Sequence, residues 1–231
     1  MIDKLRSIDE ALGAVKSGQT VMVGGFGGPG TPFVLLDRLV EQGVDGLTLV
    51  KNDANEPGTG VSRLIEAGRA HTLIASHIGL NPLAVERMNR REIEVLLYPQ
   101  GILAEKIRAG GAGLIGILTD IGLDTVLRES RQVMHVDGQE AIYEPALRGD
   151  VALIHAAKAD RAGNLLFARS GRNFCPLMAM AADTVIAEVE EVVETGELDP
   201  DAVHLPCAFV DHLVLLEELT PDYGVLPHHV L

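Results

Sequence analysis

The sequence predicts an α/β fold: a mostly parallel, open sheet with flanking helices, plus an antiparallel hairpin portion. Three observations carry this. Short β-branched runs alternate with amphipathic stretches through the first hundred or so residues, and such repeated β-α steps build parallel sheets buried on both faces. Further on, Asp137-Gly138 sits between two strand-like runs, a two-residue turn typical of a hairpin. Finally, the 231 residues are 47% apolar, ample for a core. No stretch rich in Pro, Gly or Ser divides the chain, so residues 1–231 are read as one domain.

Each element has a local cause. Ser7-Ile8-Asp9-Glu10 is a capping box opening a helix to about Ser17, with Gly18 as its terminator. A strand over Thr20–Val23 runs into a loop with five glycines in the seven positions 24–30. Thr31 and Pro32 then suit the N-cap and first position of a helix over Phe33–Gln42, on which Leu35, Leu36, Leu39 and Val40 share one face. Alternation continues with strand Leu47–Lys51, helix Thr59–Gly68, strand His71–Ser76, helix Pro82–Arg90, strand Ile93–Tyr98 and helix Ile102–Ala109. Gly110-Gly111-Ala112-Gly113 follows as a tight turn or a mobile substrate-facing loop. The second half reads as hairpin strands Val133–Val136 and Glu140–Tyr143, then strands Val151–Ala156, Leu165–Arg169, Thr184–Val189 and Phe209–Leu216, with a short helix over Pro176–Ala182. Residues Thr220 to Leu231 read as a tail or a partner-contacting arm.

Composition excludes several function classes. The formal net charge of −14 repels nucleic acid, and 3% aromatic residues with no tryptophan leave few platforms for stacked bases. The same charge makes the chain a poor sole host for a polyanionic ligand. No apolar run approaches the ~20 residues of a membrane span, and no signal-peptide pattern stands at the N-terminus. Cys175 and Cys207 are far apart and form no metal motif, so the expected compartment is the reducing cytoplasm and no metal site is expected.

The chemistry-bearing segments fall at one place if the sheet is parallel, because ligands then sit beyond the carboxyl ends of the strands. The loop Gly24 to Gly30, the pair Asn52-Asp53, Gln100 between Pro99 and Gly101, and Ser76-His77-Ile78-Gly79 are expected to converge there. The loop suits an anion or a carbonyl oxygen, since glycine lets backbone N–H groups approach a ligand closely. Gln100 offers an amide that both donates and accepts. Each also has a plain structural reading: Asn52-Asp53 as an Asx turn, Gln100 as a turn side chain, His77 as a hydrogen-bonded, partly buried histidine, and Cys175 as a packed thiol. A rival reading comes from Gly25-Phe26-Gly27-Gly28-Pro29-Gly30. It fits the dinucleotide-binding glycine spacing, with Asp53 about 20 residues on as ribose acid. Pro29 and the late start of the helix count against it.

Taken in order, several segments resemble the A (alpha) subunits of family I coenzyme A-transferases. They are Val21-Met22-Val23-Gly24-Gly25-Phe26 with Gly30-Thr31-Pro32, Pro99-Gln100-Gly101-Ile102-Leu103-Ala104-Glu105, Lys158-Ala159-Asp160-Arg161-Ala162-Gly163-Asn164-Leu165, Arg172-Asn173-Phe174, and Glu197-Leu198-Asp199-Pro200. The likeness runs from about residue 5 to 216. Ala75-Ser76-His77-Ile78-Gly79 with Asn81-Pro82, and Asn52-Asp53 where Asn-Asn is usual, most resemble the acetate or butyrate–acetoacetate type. The alternatives are the succinyl-CoA:3-oxoacid and 3-oxoadipate types. The sequence departs from the family at Ser17, at Phe33-Val34 and at Cys175.

The resemblance implies a CoA-transferase/NagB-like fold and the α subunit of a short-chain CoA-transferase. It also implies that the nucleophile lies elsewhere. The family glutamate stands in a Ser-Glu-Asn-Gly motif on a β subunit, and that tetrapeptide is missing from this sequence. The expectations are therefore a β-subunit partner, an α₂β₂ assembly, acyl-CoA and a short carboxylate as substrates, and no cofactor beyond the CoA thioester. Within that chemistry Gln100 is expected to orient a carbonyl oxygen. Gly24, Gly25, Phe26, Gly27, Gly28 and Gly30 would shape the acyl pocket, Asn52 would hydrogen-bond the carboxylate or the reactive segment, and Asp53 would need a compensating donor.

Overall fold

The computed structural model describes residues 3–223. In chain order its elements are α1 (Ile8–Leu12), β1 (Thr20–Val23), α2 (Phe33–Gln42), β2 (Leu47–Val50), α3 (Val61–Glu66), β3 (Ala70–Ala75), α4 (Pro82–Asn89), β4 (Glu94–Leu97) and α5 (Gln100–Gly111). There follow β5 (Gly116–Thr119), α6 (Leu127–Ser130), β6 (Gln132–Val136), β7 (Gln139–Pro145), β8 (Gly149–Asp160), β9 (Leu165–Leu166), α7 (Cys175–Met180), β10 (Ala182–Val193) and β11 (His212–Leu215).

The main sheet runs β11-β10-β8-β1-β2-β3-β4, and every pairing along that path is parallel. Alternating side chains feed two cores. Val21, Val23, Leu49, Leu73, Leu153 and Ile186 face α1, α2, α3 and α4. Met22, Val50, Ile74, Ala152, Ile154 and Ala187 face α5 and α7. Both faces of the central strands are thus covered, as their near-continuous apolar runs require, while the edge strand β4 leaves Leu96 and Leu97 exposed.

From β1 the chain moves outward through β2, β3 and β4, then returns to place β8 on the other side of β1. The turn after β1 therefore lies at the point where strand order reverses, the crevice where open parallel sheets hold their ligands. The glycine loop occupies it.

A second sheet, β5-β7-β6, is antiparallel. Its hairpin turns at Asp137 and Gly138, both with positive φ (51° and 79°), the geometry that a two-residue turn needs. Lys106 on α5 ties this sheet to the main body: it is buried, bonds Glu144 on β7 at 2.7 Å, and lies 4.7 Å from the centre of the Tyr98 ring.

Several expectations need correction. The capping box at Ser7 and Glu10 forms, but α1 ends at Leu12 rather than near Ser17. Only Ala11 and Leu12 of this helix are buried, and 3₁₀-type bonds from Ala14 and Val15 close it. Thr31 is not a side-chain cap: its hydroxyl donates to Gly27 O at 2.7 Å, and Pro32 takes the N-cap position. The strand expected over Leu165–Arg169 shrinks to β9, because Arg169 turns to φ 46° and opens a 3₁₀ turn. Phe209 likewise belongs to a 3₁₀ turn before β11. The glycines at the end of α5 form no mobile loop. Gly110 and Gly111 sit inside the helix, where a Cβ would press against Leu147 O and, at 2.8 Å, Met180 Cβ. Strand β5 and helix α6 have no counterpart in the sequence reading. Of the expected tail, residues up to Tyr223 fold back onto the body, while His228 and His229 lie outside the described residues.

Candidate active site

At the switch point the expected segments do converge, and one hydrogen-bonded network joins them. Asn52 is fully buried at the end of β2. Its Oδ1 accepts from Gln100 Nε2 at 2.8 Å and from Ser76 Oγ at 3.0 Å, while its Nδ2 donates to Asp53 Oδ2 at 3.0 Å. Asp53 Oδ2 also accepts from Gly27 N at 2.7 Å, and Oδ1 from Asn55 N at 2.9 Å. The network thus runs from the first residue of α5, through β2, into the glycine loop. Ser76 extends it to His77 Nδ1 at 3.1 Å, so His77 is placed rather than idle.

Beneath the loop lies a cation that sequence reading passed over. Lys51 has no exposed surface; its Nζ is 3.6 Å from Asp53 Oδ1 and 3.4 Å from Gly27 O. Burial alone would push the Asp53 carboxyl up, but Lys51 and donors from Gly27, Asn52 and Asn55 outweigh it and hold it below the usual carboxylate range. Burial dominates for Lys51 itself and lowers its pKa despite the neighbouring carboxylate. This is the compensating donor set that Asp53 required. It also removes the ribose-binding reading, since the Asp53 oxygens are engaged by the protein.

The loop backbone is held as firmly. Gly24 N donates to Leu153 O, Phe26 N to Pro29 O, and Thr31 N to Gly28 O. At Gly25 φ is +103°, and a Cβ there would lie 2.7 Å from Thr31 N, so this position demands glycine. The N–H groups of Gly28 and Gly30 have no acceptor among the described residues. The first amides of α2 do not await a ligand. Val34 N donates to the Tyr223 hydroxyl at 3.0 Å and Leu35 N to Glu188 Oε2 at 3.0 Å, so the protein supplies its own anion at that helix terminus.

Above this floor opens a cleft of about 880 Å³. Phe26 and Gly27 to Gly30 form one side, His77, Ile78, Leu80 and Asn81 another, and His155, Glu190 and Leu219 with Pro221 to Tyr223 the far wall. Register pairs His155 on β8 with Glu188 on β10. His155 Nδ1 meets Glu188 Oε1 and Nε2 meets Glu190 Oε1, each at 3.0 Å. With a carboxylate on both ring nitrogens, both must donate, which is the imidazolium form. Burial opposes that charge, but the two glutamates outweigh it and raise the His155 pKa. Local sequence offers one hint of this cluster: Glu188 and Glu190 interrupt an otherwise apolar run. Arg169, at the rim, holds a left-handed φ of 46°, which is uncommon for a residue with a side chain.

Cys175 is fully buried, its Sγ donating to Gly30 O at 3.4 Å, and burial pushes its thiol up to about 11. A neutral thiol packed under the loop is a spacer, not a nucleophile.

The family model for Coenzyme A transferase matches residues 5–216. The chain belongs to the coenzyme A transferase family. It is 48% identical over 218 residues to the alpha subunit of the acetate CoA-transferase of Escherichia coli K12, covering 94% of this chain and 99% of that one. It is 43% identical over 209 residues to the corresponding A-type subunit of a succinyl-CoA:3-ketoacid coenzyme A transferase from Helicobacter pylori, covering 90% of each. Among solved structures, an acyl-CoA transferase from Escherichia coli O157:H7, captured as a thioester complex with CoA, shares the fold. Its TM-score is 0.83 at 23% identity, covering 97% of this chain and 49% of that one. Near end-to-end likeness to the alpha-type relatives makes this a CoA-transferase chain of the α type.

Proposed function

We propose that this α chain works with a β subunit to move CoA from a short-chain acyl-CoA to a carboxylate of the acetate, butyrate or acetoacetate type. The partner supplies the glutamate. That carboxylate attacks the thioester carbonyl, expelling CoA thiolate and leaving an acyl-glutamyl anhydride. The thiolate then attacks the glutamyl carbonyl, releasing the first acid and leaving a glutamyl-CoA thioester. The incoming carboxylate reverses the sequence and leaves with the CoA.

Each addition puts negative charge on a carbonyl oxygen, and preoriented N–H donors lower that barrier. The observation that carries the reading is the Gln100–Asn52–Asp53–Gly27 network at the switch point. One N–H of Gln100 is fixed by Asn52, which leaves the second free to point at a developing oxyanion. Asn52 acts as the orienting group, Asp53 and Lys51 hold the loop, and Gly28 and Gly30 amides face the acyl group. Support for an external nucleophile comes from the cleft carboxylates themselves. Asp53, Glu190 and Asp222 are each bonded to a cation. Glu56 is exposed on a loop, without the burial that would activate it. The acetate-type relative favours a monocarboxylate acceptor over the succinyl alternative. No cofactor enters this chemistry, the assembly is α₂β₂, and the compartment is the cytoplasm.

Co-expression with the β subunit tests the reading. The pair is expected to transfer CoA from acetoacetyl-CoA to acetate while the isolated chain does not. Hydroxylamine trapping of the thioester is expected to mark the β chain. Transfer by the isolated α chain, or a mark on Glu56, overturns it.

A further inference from the structure

The far wall of the cleft contains a segment that the family match does not reach. Residues 219–223 lie past the matched span of 5–216, yet Leu219, Pro221, Asp222 and Tyr223 face the same cavity as the glycine loop. They are latched there at two points. Tyr223 packs edge-on to Phe33, with ring centroids 5.2 Å apart at 85°, and lies over His155 at 4.9 Å. Its hydroxyl donates to Glu188 Oε1 and accepts Val34 N. Asp222 meets Arg63 at 3.5 Å, and the same guanidinium bonds Asp37 at 2.7 Å.

We propose that Tyr223 is a specificity-determining residue, the stop that limits how long an acyl chain the cleft accepts. The inference rests on the CoA-transfer reading above. Apolar Phe26, Phe33 and Ile78 line the cleft with the glycine loop, and the Tyr223 ring closes against Phe33 in the same cavity. Beside that ring His155 and Glu190 line the same wall, bonded to each other, with Glu188 on the other ring nitrogen of His155. Further methylenes could advance only by displacing the ring, which breaks its two hydroxyl bonds and its aromatic contacts, or by burying apolar surface against charged groups. Either route penalises length, whereas acetate and butyrate end before the stop.

The test uses the assembled α and β subunits, with acetate, butyrate, hexanoate and octanoate as acceptors. Wild type is expected to lose kcat/KM steeply beyond butyrate. Both Tyr223→Ala and a chain ending at Thr220 are expected to raise the hexanoate-to-acetate ratio of kcat/KM by about tenfold, through a lower KM for hexanoate, the scale on which a pocket discriminates methylenes. The inference is overturned if both variants stay within about twofold of the wild-type ratio, or if the wild-type profile is flat through octanoate. A wild-type assembly that serves no carboxylate at all would instead overturn the transfer reading.

Discussion

At the scale of single residues, Gln100 and His155 show how neighbours turn an ordinary side chain into a defined chemical group. Gln100 is oriented by Asn52, across 2.8 Å, with no other side-chain partner among the described residues. Gln100→Ala in the assembled enzyme is expected to lower kcat by about 10²–10³, the usual loss for one oxyanion donor. A steady-state assay within about threefold of wild type would remove Gln100 from that role. His155 makes a claim about pH. Its folded pKa is raised, so the stability it contributes is fully present below its unfolded value of about 6.5 and is lost as pH rises through the folded value. Thermal midpoints are expected to fall more steeply above pH ~6.5 in wild type than in His155→Asn, and parallel curves would contradict the doubly bonded imidazolium.

At the scale of elements, local pattern made the first half legible. β1 was read to its exact bounds, and β2, β3, α4 and β4 close to theirs, because apolar period and glycine or proline stops act over a few residues. Gln100, Asn52, Asp53 and the loop converge because each follows a parallel strand at the same sheet edge. Local pattern is silent where partners are remote in sequence. Thr31 looked like a cap until Glu188, 153 residues from Leu35, took that duty. Lys51 looked like a strand end, and only the folded loop above it explains a buried ammonium. The small sheet makes the same point about paired charge. Lys106 and Glu144 are both buried at 2.7 Å, so Glu144→Ala leaves an ammonium without its main counter-ion. Urea unfolding is expected to show a loss of about 3–5 kcal/mol, the usual result of breaking a buried pair from one side. A loss under about 1 kcal/mol would mean that water reaches Lys106.

For the whole molecule, charge decides what this chain can hold by itself. A net −14 opposes a ligand that carries several phosphates, and the ion pairs of Asp53, Glu190 and Asp222 in the cleft do not change the overall field. Calorimetry is expected to find no saturable CoA binding to the isolated chain and clear binding once the β subunit is present. Tight binding to the isolated chain would place the phosphate contacts here.

The position of β1 has a further consequence, for synthesis. Its two neighbours are β2, which follows within thirty or so residues, and β8, which begins at Gly149. Until the ribosome has delivered that later strand, the middle of the sheet has a bare edge and the Gly24 amide has no Leu153 carbonyl to meet. Contacts this distant in sequence form late. The nascent first half is therefore an incomplete sheet that waits for its own second half, and the cleft is among the last features to take shape.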